Sequence, residues 1–267
     1  MEEKGDIEGA VRQYAILCEG AEKYERACYD QCRALFDTSH VDTALACATS
    51  FVKNHPDSGL APVAVRMVST TLRGQEAYLM GAAMLHQLAQ SVEGRDVWDS
   101  IQYERARLFR YAAMKAEEEA VLASIVDLGR WGSQLWDNAI WRMIAIQQDK
   151  EDDSKEEELL LRLLSAKEKS ALIASYNSPY FDDALYRLGE LYEERNDLQQ
   201  AYDAFLRLST WKTSRRRDDA LLKCALLKRR TGDGERACMH LKLLTQRMPG
   251  SGSIRKAKKL LKEWNCS

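Results

Sequence analysis

Asp182-Asp183-Ala184-Leu185-Tyr186-Arg187-Leu188-Gly189 is answered thirty-six residues later by Asp218-Asp219-Ala220-Leu221-Leu222-Lys223-Cys224-Ala225. In both stretches apolar residues recur at helical spacing and lead into a polar turn, Arg195-Asn196-Asp197 or Thr231-Gly232-Asp233. A second amphipathic run follows, opened by Ala201 or Ala237. Helix, short turn, helix is a hairpin, and here it is written twice in succession. A single hairpin of this length leaves one apolar stripe uncovered, so copies must stack to bury it.

The pattern extends outward from this pair. Asp137-Asn138-Ala139-Ile140-Trp141-Arg142-Met143 aligns with the opening at Asp182, and Ala10 and Ala44 lie thirty-four residues apart at matching places. The expected layout is a half-repeat at 6–19, where Gly5 and Asp6 form the turn into a second helix. Hairpins are then expected at 22–56, 60–91, 96–129, 133–167, 180–210 and 217–249, with a capping helix at 253–264. The connection at 166–178 is left unplaced. The acidic run from Asp149 to Glu158 has Ser154 and Leu160 where a calcium loop needs Gly and Glu, so it reads as an enlarged turn that favours the next helix N-terminus.

Composition agrees with helix. Leu, Ala, Glu, Lys and Arg dominate the 267 residues, with only 14 Gly and 4 Pro. The net charge of −2 hides an asymmetry, because residues 212–263 hold sixteen Lys or Arg against five Asp or Glu. No stretch approaches the apolar length of a membrane span, and residues 1–5 contain no signal-peptide core. Seven cysteines, an odd number without a regular framework, do not suggest a disulfide-stapled domain; Cys28 and Cys32, four apart on one helical face, have a spacing that could hold a metal or thiol pair but read as core packing. No phosphate-binding loop or zinc spacing is present, and the four His fall on different repeats. The expectation is therefore a chain with no catalytic, cofactor or metal residues.

Leu188-Gly189, Tyr192, Ala201 and Phe205 in one copy, and Ala225, Ala237, Leu241, Leu244 and Pro249 in the next, resemble the tetratricopeptide repeat, whose period is about 34 residues. The resemblance implies an all-α, right-handed superhelical solenoid with a C-terminal capping helix. It also implies a non-catalytic scaffold that binds a protein or peptide segment in a concave groove lined by the first helices. The fifth residue of each repeat would face that groove at Tyr29, Tyr103, Trp141 and Tyr186, and the ninth at Arg33, Arg107 and Glu190, with Arg66 and Leu222 interrupting the aromatic track. Aromatic and Arg side chains suit interface anchors, although Tyr at this place also packs between neighbouring first helices.

Two alternatives stand beside this reading. Ser178-Pro179-Tyr180 and Met248-Pro249-Gly250-Ser251 look like the bacterial cell-envelope branch of the family, which includes the Tol-Pal periplasmic protein and outer-membrane assembly lipoproteins. That branch implies an exported chain with a preceding signal segment, whereas the sequence as it stands reads as cytoplasmic. The other alternative is nucleic-acid or other anionic-polymer binding through the basic C-terminal segment.

Overall fold

The computed structural model describes residues 7–19, 25–37, 40–173 and 178–266, and every regular element among them is a helix. A lone helix α1 (Ile7–Glu19) precedes the hairpins α2 (Glu25–Phe36) with α3 (Val41–Asn54), α4 (Ala61–Gly74) with α5 (Tyr78–Ser91), and α6 (Trp98–Tyr111) with α7 (Lys115–Asp127). There follow α8 (Trp136–Asp149) with α9 (Asp153–Ile173), α10 (Phe181–Glu194) with α11 (Leu198–Thr210), α12 (Arg217–Arg230) with α13 (Gly234–Arg247), and α14 (Ile254–Glu263). The expected starts at Asp6 and Glu22 lie outside the described residues. The unplaced connection proves to be a continuation of α9 to Ile173, and residues 174–177 again lie outside.

The five hairpins from α4 to α13 turn in the same way. One residue of each three-residue turn takes the left-handed conformation: Glu76, Ala113, Glu151, Asn196 and Gly232, with φ between 55° and 83°. The next amide then reaches back five positions to a carbonyl of the first helix, as Asp197 N does to Tyr192 O (2.8 Å) and Asp233 N to Lys228 O (2.9 Å). That bond satisfies a carbonyl the helix end would otherwise leave bare. Asp197 and Asp233 then accept from the amides of Gln200 and Arg236 and start the second helix.

A second periodic device joins successive hairpins. Ser58, Ser133, Ser178, Ser214 and Ser251 each accept an amide two residues on, just before a first helix. Three of these hydroxyls also donate to a carboxylate one repeat earlier: Ser58 to Glu25, Ser133 to Asp99 (2.7 Å) and Ser251 to Asp218 (2.5 Å). Asp182 does the same work by accepting from the amide of Arg215 (3.0 Å). At these four junctions a layer is thus pinned to its neighbour by polar bonds.

Small residues set the spacing inside each hairpin. Ala44, Ala201, Ala220, Ala225 and Ala237 are fully buried, and Gly189 lies directly against the ring of Phe205. Close approach lets Leu72, Leu85, Ile101 and Leu108 form part of one core and buries Leu188, Phe205 and Leu208, at about 2 kcal/mol for each large side chain removed from water.

The chain divides into two compact units, Met1–Met143 and Ile144–Ser267, where the sequence reading expects a single array. Each layer of a repeat array coheres only with its neighbours, so nothing in the repeat itself enforces one body. In the second unit, Leu260 and Leu261 of α14, with Trp264 just after it, pack on Leu221, Leu222, Leu241 and Leu244, which makes α14 the expected cap.

The cysteines depart from expectation. Cys18–Cys28, Cys32–Cys47 and Cys238–Cys266 are disulfides, and Cys224 alone is a thiol. Cys28 and Cys32 are buried, as an inward position requires, but each is bonded to a helix on a different side of α2.

Candidate partner-binding surface

In the first unit, α6 and the N-terminal parts of α4 and α8 border a cleft of about 490 Å³. Arg66, Tyr103, Glu104, Arg107 and Asn138 line it, with Asp57, Asp96 and Asp99 at one end. Helical spacing explains the grouping: Tyr103 and Arg107 stand one turn apart on α6, and Asp99 one turn earlier still.

Glu104 is the electrostatic centre of the cleft. Its carboxylate is buried, accepting from Ser69 Oγ (2.7 Å) and Arg107 Nη1 (2.7 Å), with Arg66 Nε at 3.8 Å. Burial works against the Arg107 charge, but the charge and hydrogen bond of Glu104 outweigh it and raise the guanidinium pKa. The Arg66 side chain is 70% exposed and reaches over the cleft from α4. The surface therefore presents one cation, Arg107, held by a fixed anion, a second and exposed cation, Arg66, near it, a phenol and several carboxylates.

The remaining sequence candidates are placed differently. Tyr29 is buried, 5.9 Å edge-on from Phe51, so its ring belongs to the core and is not available as an anchor. Its burial follows from Phe51 of α3 lying directly across from it. Arg33 is exposed and 3.6 Å from Asp30. Trp141 is partly buried on α8 and is not among the residues lining the cleft.

In the second unit Tyr186 is half-buried, edge-on to Phe205 (5.2 Å) and beneath the Arg216 guanidinium (4.7 Å), which is paired with Asp183. Burial pushes the Tyr186 hydroxyl up to about 12. Glu190 is half-buried one turn further along α10. The contribution of Asp99, Glu104 and Asn138 was not foreseen; an acid at Asp99 matching those at Asp182 and Asp218 was the available signal.

The hairpin, its left-handed turn and the small residues at its crossing are now all in view, and residues 183–210 match the model of the tetratricopeptide repeat. The chain carries a tetratricopeptide repeat. Several solved structures are similar to this chain. YrrB, described as a tetratricopeptide protein with an unusual peptide-binding site, is 12% identical, covering 79% of this chain and 97% of its own, with a TM-score of 0.48. The type IV pilus biogenesis factor PilW is 15% identical over 88% of this chain and 99% of its own, at 0.46. Nearly identical repeats from a putative kinesin light chain of Podospora anserina are 15% identical over 69% and 95%, at 0.47. No curated protein matches the sequence.

Proposed function

We propose that this tetratricopeptide chain is a protein-interaction scaffold that holds a segment of a partner protein against the first-helix face of the unit at 1–143. The observation that carries the reading is the cleft itself, where Arg66, Tyr103 and Arg107 converge over a buried Glu104. The mechanism is display with no covalent step. Arg107 is fixed before the partner arrives, so little ordering cost remains at binding, and the phenol of Tyr103 supplies a stiff contact surface. Exposed Arg66 supplies the cation that can turn toward a carboxylate or a backbone carbonyl of the partner.

The test is capture of the partner from the source cells by the whole chain and by Tyr103→Ala/Arg66→Ala. We expect one defined protein, retained at high salt and bound at least ~10-fold more weakly by the variant, with unchanged helicity. Equal capture by both chains overturns the reading.

One observation favours the anionic-polymer alternative: Arg255, Lys256, Lys258, Lys259 and Lys262 are all exposed on α14. Against it, Arg216, Lys223 and Arg230 are engaged by Asp183 and Glu193. A charge-driven association through α14 would fall steeply with salt and would be indifferent to Tyr103.

A further inference from the structure

The three disulfides are not spread along the chain. Two lie among α1, α2 and α3, the third joins α13 to the residues after α14, and α4 to α12 contain none. The same extremities hold the least-covered helices. Ala10 of α1 is only partly buried, whereas its counterparts Ala44, Ala201 and Ala237 have no exposure. On α1, Ile16 is 72% and Leu17 44% exposed.

At the other extremity Cys238 stands one residue after Ala237, the place Tyr202 holds after Ala201. Tyr202 uses that place to reach the following second helix, through its hydroxyl to His240 Nε2 (3.0 Å). Cys238 uses it to bond Cys266. The covalent bond thus occupies the site of an inter-repeat contact.

We infer that the chain is a substrate for oxidative folding in an oxidising compartment, and that its three disulfides do at the outermost helices what packed neighbours do for the inner ones. Each bond forms when a thiolate of the chain attacks a disulfide of a donor protein, and the second cysteine of the pair then displaces the donor. Two thiols lose two electrons and two protons in total, and the donor leaves as a dithiol, so three donor disulfides are consumed per chain. The four cysteines at 18, 28, 32 and 47 admit three pairings, and the one present stitches α2 to both its neighbours. Cys224 takes no part, since its thiol is fully buried and burial pushes its pKa up to about 12.

This inference does not rest on the cleft, and its test is separate from the binding test. Source cells are quenched in acid and the denatured native chain is alkylated without reduction. One alkylated cysteine, Cys224, and, once that adduct is subtracted, a mass about 6 Da below that of the reduced chain are expected; alkylation of all seven overturns the proposal. Hydrogen exchange on the purified chain then separates a mechanical role from an incidental bond. Closing short loops shifts local opening by on the order of 100-fold. In Cys238→Ser/Cys266→Ser, amides of α13 and α14 should exchange at least ~10-fold faster while those of α6 are unchanged. The same result is expected for α1 and α2 in Cys18→Ser/Cys28→Ser. Unchanged exchange in both variants overturns the role assigned to the bonds.

Discussion

Gly189→Ala puts the hairpin packing to a numerical test. In an exposed helix interior, Gly→Ala stabilises by about 1 kcal/mol, because Ala restricts the unfolded chain more. At Gly189 a Cβ would sit 2.7 Å from Phe205 Cζ and 2.8 Å from Cε1, about 1 Å inside ordinary contact. The ring has little room to retreat, being fully buried, with Tyr186 5.2 Å away edge-on and Lys223 Nζ 5.6 Å from its centre. Overpacking of this kind costs about 1–3 kcal/mol, so the net effect is a loss of about 1 kcal/mol. Gly74, at the end of α4, has nothing within 4 Å of its Cβ position and serves as the control. Thermal unfolding by circular dichroism should show Gly189→Ala lowering the midpoint by about 3 °C and Gly74→Ala raising it slightly. In a Phe205→Leu background the penalty should vanish, because the two substitutions share one contact. A rise in midpoint for Gly189→Ala in the wild-type background would refute the reasoning.

The other predictions concern turns, buried charge and pH. Ala113→Gly relieves a left-handed backbone (φ 57°) at an exposed position and should stabilise by about 1 kcal/mol in urea unfolding; destabilisation would contradict the turn geometry. Arg187 donates to Glu156 through Nε (2.7 Å) and Nη2 (3.1 Å), and Glu156 is 1% exposed. Arg187→Met leaves that buried carboxylate with the Gln148 amide (2.7 Å) but without its cation and should cost about 3 kcal/mol, whereas Arg95→Met at an exposed pair should leave the urea midpoint unchanged. Burial, and then the Lys228 charge, hold His240 below the usual 6.5, so the unfolded chain binds a proton that the folded chain refuses. Its stability contribution is full above pH 6.5 and is lost as pH falls through the lower folded value. The urea midpoint should fall between pH 7.5 and 5.5, and more steeply for wild type than for His240→Gln; equal slopes would exclude His240 as the cause.

How much of this could be read from the residues differs by element. Asn196 and Gly232 announce their turns because both residues favour the left-handed region, but Glu76, Ala113 and Glu151 adopt it under the constraint of the hairpin and give no local sign. The inward Ala positions follow from periodicity alone. So does the Ser six residues before Ala64, Ala139, Ala184, Ala220 and Ala257, a repeat signal present in the sequence whose meaning becomes clear with the bonds to Asp99 and Asp218. Disulfide pairing was not legible, since Cys238 and Cys266 are 28 residues apart and meet only when α14 folds back on α13. For the candidate surface, Tyr103, Arg107 and the interrupting Arg66 were visible as positions on first helices. Whether an aromatic at the fifth position is exposed depends on what lies opposite, and at Tyr29 that is Phe51.

The scaffold reading is tested most directly by a photo-crosslinking residue placed at Tyr103 and, in a second chain, at Leu79, which is 56% exposed on α5 and does not line the cleft. Expressed in the source cells and irradiated, the Tyr103 chain should capture one defined protein, and Arg66→Glu should abolish that band. The Leu79 chain should capture none of it. Equal labelling from both positions, or a Tyr103 adduct insensitive to Arg66→Glu, would contradict the account.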